Sequence, residues 1–151
     1  MRILNWYHDD FVNGEGIREV IFVAGCIHHC KGCFNPESWD FLGGTSFSEN
    51  DKLQLFERLE RDYISGVTFS GGDPLCSYKD LLSLCKEIKL LYPDKTIWVY
   101  TGFTEEVVKE KFSELLSVID VIVTEPFIES LKDPKLEWVG SSNQKVIYLN
   151  N

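Results

Sequence analysis

Three of the five cysteines in this 151-residue sequence crowd into residues 24–36, AGCIHHCKGCFNP, with two histidines between the first pair. Cys26, Cys30 and Cys33 have the spacing C-x3-C-x2-C. Thiolates are soft ligands suited to zinc and to iron–sulfur clusters. A structural zinc site takes four protein ligands and a disulfide takes two, so three is an unusual number. Three thiolates on a cubane [4Fe-4S] cluster would hold three irons and leave the fourth accessible, and an open metal position is where chemistry is done. The competing reading is a zinc knuckle that borrows His28 or His29 as its fourth ligand, and spacing alone leaves both open.

A second candidate stretch is FSGGDPL, residues 69–75. Paired glycines at a strand end allow close backbone approach and positive φ. A plain strand-to-helix turn capped by Asp73 would explain the same residues. WVYTG, residues 98–102, ends a further strand in Thr101-Gly102, which either lines a ligand or leads into a helix capped by Thr104. Cys85 lies at core spacing with Leu81 and Ile88, so packing is its expected role. Cys76 has no evident partner.

These stretches need a scaffold that brings them to one edge. Residues 18–24, 66–72, 96–102, 119–125 and 144–149 are apolar, β-branched runs that predict strands. Between them lie helical patterns. One starts at a Ser48 cap with Leu53, Phe56 and Leu59 on one face. A second carries Leu81, Leu84, Cys85, Ile88 and Leu91 and stops at Pro93, and a third follows Thr104. Alternating strands and helices indicate βαβ units, an α/β fold with a mainly parallel sheet of about five or six strands. The cysteine loop, Gly71-Gly72-Asp73, Thr101-Gly102 and Thr124-Glu125 all fall at C-terminal strand ends, the ligand-binding edge of such folds. The chain is too short for eight βα units of roughly 30 residues, which favours an open or partial β/α barrel.

No linker or repeat divides residues 1–151, so one domain is expected. A net charge of −9 argues against nucleic acid and against an anionic membrane surface. Neither an apolar run of transmembrane length nor a signal-peptide core is present, which predicts a cytoplasmic protein. There, clustered cysteines point to metal or redox chemistry.

The cysteine spacing, in a loop after the first buried strand, resembles that of the radical S-adenosylmethionine (SAM) family. The resemblance implies Cys26, Cys30 and Cys33 as cluster ligands. It also implies that the open iron chelates SAM, whose reductive cleavage yields a 5′-deoxyadenosyl radical. Many members carry an aromatic residue just before the third cysteine; here Gly32 stands there, and Phe34, directly after Cys33, is expected to fill the space near the adenine. SGGD resembles the family's GGE motif, which implies SAM contacts for Gly71, Gly72 and Asp73, with Thr101 a candidate beside the ribose. On this reading His28 and His29 are bystanders.

Further stretches narrow the branch: FVNGEGIREVIFVAGC, NPESWDF, IWVYTG, DVIVTEPF and GSSNQKVI, in this order and at this length, resemble the activating components of anaerobic (class III) ribonucleoside-triphosphate reductases. Val139 departs from that pattern, where many relatives have Arg. The resemblance implies an oxidoreductase that generates a glycyl radical on the reductase's large subunit. It implies an electron donor such as a flavodoxin as second partner. It requires no acid–base residue, so Asp9, Asp10 and Glu15 are expected to be solvated carboxylates. Three alternatives remain: an activase of pyruvate formate-lyase type, a small radical SAM enzyme acting on a metabolite, and a non-catalytic zinc-binding module.

Overall fold

The computed structural model describes residues 1–149. One seven-stranded sheet runs in the order β3-β1-β2-β4-β5-β6-β7. Its strands are β1 (Arg2–Asp10), β2 (Arg18–Val23), β3 (Thr45–Ser46), β4 (Gly66–Gly71), β5 (Thr96–Tyr100), β6 (Val121–Thr124) and β7 (Lys145–Tyr148). The centre, β2-β4-β5-β6, is parallel, and β1, β3 and β7 add to it antiparallel. The α/β class and the parallel centre match expectation. The strand count is higher because β1 and the two-residue β3 lie on a flank that the apolar-run criterion does not detect. Only Ile3 of β1 is buried, so the strand lacks the continuous apolar stretch of a two-faced strand.

Helices α1 (Glu49–Leu59), α2 (Tyr78–Leu91), α3 (Glu105–Lys111) and α4 (Ser113–Leu116) supply the connections. Ser48 closes a capping box with Asp51 at the start of α1, and Thr104 accepts from the Val107 N–H at the start of α3. Both caps were legible. The face of α1 was not fully so: Leu53 is 60% exposed, and the buried stripe is Leu55, Phe56 and Leu59. Leu91 is likewise exposed, at the last turn of α2, while Leu81, Leu84, Cys85 and Ile88 are buried as expected. The single helix expected after Thr104 breaks at Phe112 into α3 and α4.

The main apolar core lies between these helices and one face of the sheet. The opposite face carries a smaller cluster of Trp98, Val121 and Val123, with Tyr100, Trp138, Val139 and Val146 packed on it. Arg18 is buried beside this cluster. Its guanidinium sits 5.7 Å from the Trp98 ring and donates to Thr68 Oγ1, Thr96 Oγ1 and three backbone carbonyls. Burial lowers its pKa to about 10, and the ring of acceptors satisfies the charge that remains. Arg18 braces the N-terminal ends of the parallel strands; the candidate chemistry is at their other ends. Asp9 pairs with Arg58, and Asp10 caps the Val12 and Asn13 N–H groups, so these acids have structural partners.

Candidate functional site

Beyond Val23 the chain leaves β2 through Ala24 and Gly25 and makes the cysteine loop. Gly25 has φ +106°, and a Cβ there would meet the Phe41 ring at 2.5 Å. The loop is tied down at both ends: Gly25 N donates to Ser38 O at 2.7 Å, and Cys33 N donates to Cys30 O at 3.1 Å. The turn at Pro36–Trp39 thereby closes over the start of the loop. All five cysteines are free thiols; Cys26 is buried, and Cys30 and Cys33 are partly exposed.

Cys26, Cys30 and Cys33 line one cleft of about 400 Å³, which also takes in Phe34, Gly71, Gly72 and Thr101. The structure therefore brings together seven of the nine residues singled out from the sequence. Gly32 and Asp73 are not on the cleft wall. Gly32 (φ +75°) is turned toward the Glu129 side chain, which a Cβ would strike at 2.7 Å. The Asp73 side chain has no exposed surface.

The donor set can be judged from its surroundings. Burial raises the Cys26 pKa, while backbone N–H groups of His28 and His29 pull it back. The Asn35 N–H reaches Cys33 Sγ at 3.4 Å. N–H groups aimed at sulfur stabilise thiolate, the form that binds metal. Neither histidine is offered as a fourth ligand. His29 stacks on Trp39 with ring centroids 4.5 Å apart, and His28 Nε2 lies 2.6 Å from Asp73 Oδ2. Among the described residues no group of three or more His, Cys, Asp or Glu side chains converges to hold one metal ion. Three soft thiol donors without a histidine as fourth ligand suit an iron–sulfur cluster with one open iron better than a closed structural zinc site. Burial raises the Cys76 pKa to about 11, and burial together with its place in the core raises Cys85 further, so both are poor thiolates.

Gly71 and Gly72 have a second reason to be glycines. A Cβ on Gly71 (φ +106°) would lie 2.5 Å from Val23 N, and one on Gly72 would lie 2.5 Å from Gly25 O. This contact lets Gly72 N donate to Val23 O and Asp73 N donate to Gly25 O. The Gly-Gly-Asp turn thus holds the root of the cysteine loop while its open side faces the cleft.

Sequence reasoning placed Glu125 at the ligand-binding edge and missed its neighbours on the opposite wall. Tyr100, Phe127 and Trp138 line the cleft with it. Phe34 packs against Phe127 at 4.9 Å between centroids, with Lys132 Nζ 4.9 Å over its ring. Glu125 (φ +81°) and Trp138 (φ +69°) hold left-handed backbone conformations, which cost about 1–3 kcal/mol and concentrate at functional sites. The Tyr100 hydroxyl is buried with no hydrogen-bond partner among the described residues. Its signal was available, since Tyr100 precedes Thr101 on an already suspected strand end. The GSSNQ turn closes this side: Gln144 Oε1 accepts from the Gly140 and Ser141 N–H groups, and Asn143 Nδ2 donates to Pro126 O.

Residues 12–147 match the family described as 4Fe-4S single cluster domain. The chain is 40% identical over 148 residues to the anaerobic ribonucleoside-triphosphate reductase-activating protein of Haemophilus influenzae, covering 95% of this chain and 96% of the relative. It is 39% identical over 142 residues to the protein of that name from Enterobacteria phage T4, covering 93% and 89%. With that of Escherichia coli K12 it shares 38% over 153 residues, covering 99% of each.

Proposed function

Since the chain belongs to the family of anaerobic ribonucleoside-triphosphate reductase-activating proteins, we propose that it generates a glycyl radical on the large subunit of such a reductase. The observation that carries the reading is that three free cysteines and the Gly71-Gly72 turn line the wall of one open cleft at the C-terminal edge of parallel strands.

In this reading Cys26, Cys30 and Cys33 hold the cluster. When bound, the cluster would supply the electron for reductive cleavage of SAM to methionine and a 5′-deoxyadenosyl group able to take a hydrogen atom from a glycine of the partner. The protein's own residues bind, orient and exclude water. Gly71 and Gly72 would present backbone to SAM, Phe34 with Phe127 would form an apolar wall for its adenine, and Thr101 would face its ribose. Asp73 serves from behind, because its carboxylate is filled by donors of the chain itself. The sheet ends at β3 and β7 without joining them, and we read it as a partial barrel whose open side admits the glycine segment. The residues form one domain, and a reducing cytoplasm, with a flavodoxin-like donor, suits five free thiols. No helix among the described residues is long and apolar enough to cross a membrane.

The test is anaerobic reconstitution with iron and sulfide, then reduction with SAM present. An EPR signal that SAM perturbs and formation of 5′-deoxyadenosine are expected. Retained zinc without SAM cleavage would sink the reading.

The Tyr100 hydroxyl, buried on the cleft wall without a partner among the described residues, is a polar group available to SAM. Tyr100→Phe should weaken SAM binding about five- to tenfold, the value of one hydrogen bond, measured by equilibrium dialysis on the reconstituted protein. It should leave thermal stability unchanged or slightly raised, because a buried hydroxyl without a partner opposes folding. Unaltered SAM affinity would remove Tyr100 from the site.

A further inference from the structure

The sequence makes His28 a bystander; the structure does not. Its ring is wedged on three sides. Nε2 lies 2.6 Å from Asp73 Oδ2. The Phe103 ring meets it edge-on with centroids 4.6 Å apart. Its Cδ2 packs so close to Gly102 that a Cβ there would approach to 2.6 Å. The imidazole is only 15% exposed. A carboxylate accepts and does not donate, so Nε2 is the nitrogen that carries the proton.

Asp73 is the hub of this arrangement. Its Oδ2 accepts from His28 Nε2, from Thr101 Oγ1 at 2.8 Å and from Gly102 N at 2.9 Å, and its Oδ1 accepts from Leu75 N at 3.0 Å. Three donors crowd Oδ2 and one reaches Oδ1, so the carboxylate is engaged from three segments of the chain. One buried side chain therefore joins the end of β4 to the end of β5, and only through His28 to the middle of the cysteine loop. Backbone bonds secure the loop's root, at Gly25 and Cys26, and its exit. Between these ends the backbone N–H of Ile27 points at the Cys76 sulfur and those of His28 and His29 at the Cys26 sulfur, and His28 adds the loop's own side chain as a tether to the sheet edge.

We propose that His28 is a positioning residue that clasps the cysteine loop to Asp73 and holds Cys30 and Cys33 toward the cleft before any metal is bound. The proposal rests on the reading of Cys26, Cys30 and Cys33 as cluster ligands. It changes the part of the Gly-Gly-Asp turn: the Asp73 carboxylate shapes the metal loop and does not itself meet the substrate. The chemistry selects histidine because the tether must donate to a carboxylate from a short loop while its flat ring lies against Gly102.

The test reads the metal-free full-length protein first. Under anaerobic, reducing conditions, iodoacetamide labelling of Cys30 and Cys33 is followed by peptide mass spectrometry. His28→Leu should speed labelling of both thiols about tenfold, the worth of a hydrogen bond to a charged group. His28→Gln, whose amide reaches the Nε2 position, should restore the rate to within about twofold. Thr101→Val removes a donor to the same oxygen from β5 rather than from the loop; it should lower the melting temperature yet leave labelling near the parent rate. After loading with iron and sulfide, retention of iron against a chelator should fall in His28→Leu and return in His28→Gln. Should His28→Leu not fold, His28→Asn, too short to reach Asp73, replaces it in the comparison with Gln. Equal labelling in the parent and the donor-less variant would overturn the proposal, as would equal acceleration by Thr101→Val. If the parent holds no iron, the ligand reading fails, and the labelling rates still decide the clasp.

Discussion

Cys30→Ala should leave the protein folded and without a stable cluster. Cys30 is partly exposed, so its sulfur contributes little to packing, and its removal takes away one of three thiolates that no neighbouring side chain can replace. The histidines cannot step in: one stacks on Trp39 and the other is held by Asp73. Iron content after reconstitution should drop to background, and SAM cleavage should vanish with it, while the unfolding temperature of the metal-free protein stays within about 2–4 °C, the span of roughly 1 kcal/mol in a chain of this size. Cys85→Ala is the counterpart. Cys85 is fully buried between α2 and the sheet, so the change should cost about 1–2 kcal/mol of packing and leave iron content intact. Equal iron loss in the two variants would refute the ligand assignment.

Gly71→Ala should damage the same site by a different route. Gly71 sits at φ +106°, where an L-residue pays about 1–2 kcal/mol. Its new methyl would also press on Val23 N at 2.5 Å and Val23 O at 2.6 Å. That is backbone of the central parallel ladder, where Val23 is paired with Gly71 itself, so it cannot swing aside like a flexible side chain. Relief by overpacking costs a further 1–3 kcal/mol or so. Together these predict a loss of about 3 kcal/mol, or roughly 10 °C in melting temperature. Relaxation would move the two hydrogen bonds that root the cysteine loop, Gly72 N to Val23 O and Asp73 N to Gly25 O. Iron retention should fall as well. The two variants separate cleanly: Cys30→Ala loses iron without stability, and Gly71→Ala loses both. A Gly71→Ala protein with parental melting temperature would show that the turn is slacker than its geometry implies.

What could be read from the residues followed from how locally each feature is encoded. The three cysteines, the Gly-Gly-Asp turn and the buried strands declare themselves in short windows, because ligand spacing, positive φ and apolar runs are properties of neighbours in sequence. The helix caps at Ser48 and Thr104 are legible for the same reason. Features that depend on distant partners were not. Strand β1 has no two-sided apolar run and exists because it pairs with β2 and covers a flank of the sheet. Leu53 and Leu55 are both apolar residues of α1, and only the docking angle decides that Leu55 is buried and Leu53 exposed. Asp73 looked like a group available to a ligand; nothing in its own segment announces that His28 and Thr101, 45 and 28 residues away, would occupy it. The far wall of the cleft, with Trp138 and Glu125 in left-handed conformations, likewise comes from segments that meet only in the folded chain.

Phe34 illustrates the middle ground. Its place after Cys33 marked it as a candidate for the adenine wall, and the fold puts it in the cleft against Phe127. Its partner lies 93 positions along the chain, beyond the reach of any local pattern.

The most direct measurement is glycyl-radical formation on the partner. The reconstituted, reduced protein is mixed anaerobically with SAM and the large subunit of an anaerobic ribonucleotide reductase, and the mixture is examined by EPR. The account predicts a carbon-centred doublet that survives removal of this protein, appears together with 5′-deoxyadenosine, and is absent with Cys30→Ala. SAM cleavage with no radical on that subunit, or a radical formed instead on a pyruvate formate-lyase, would contradict it.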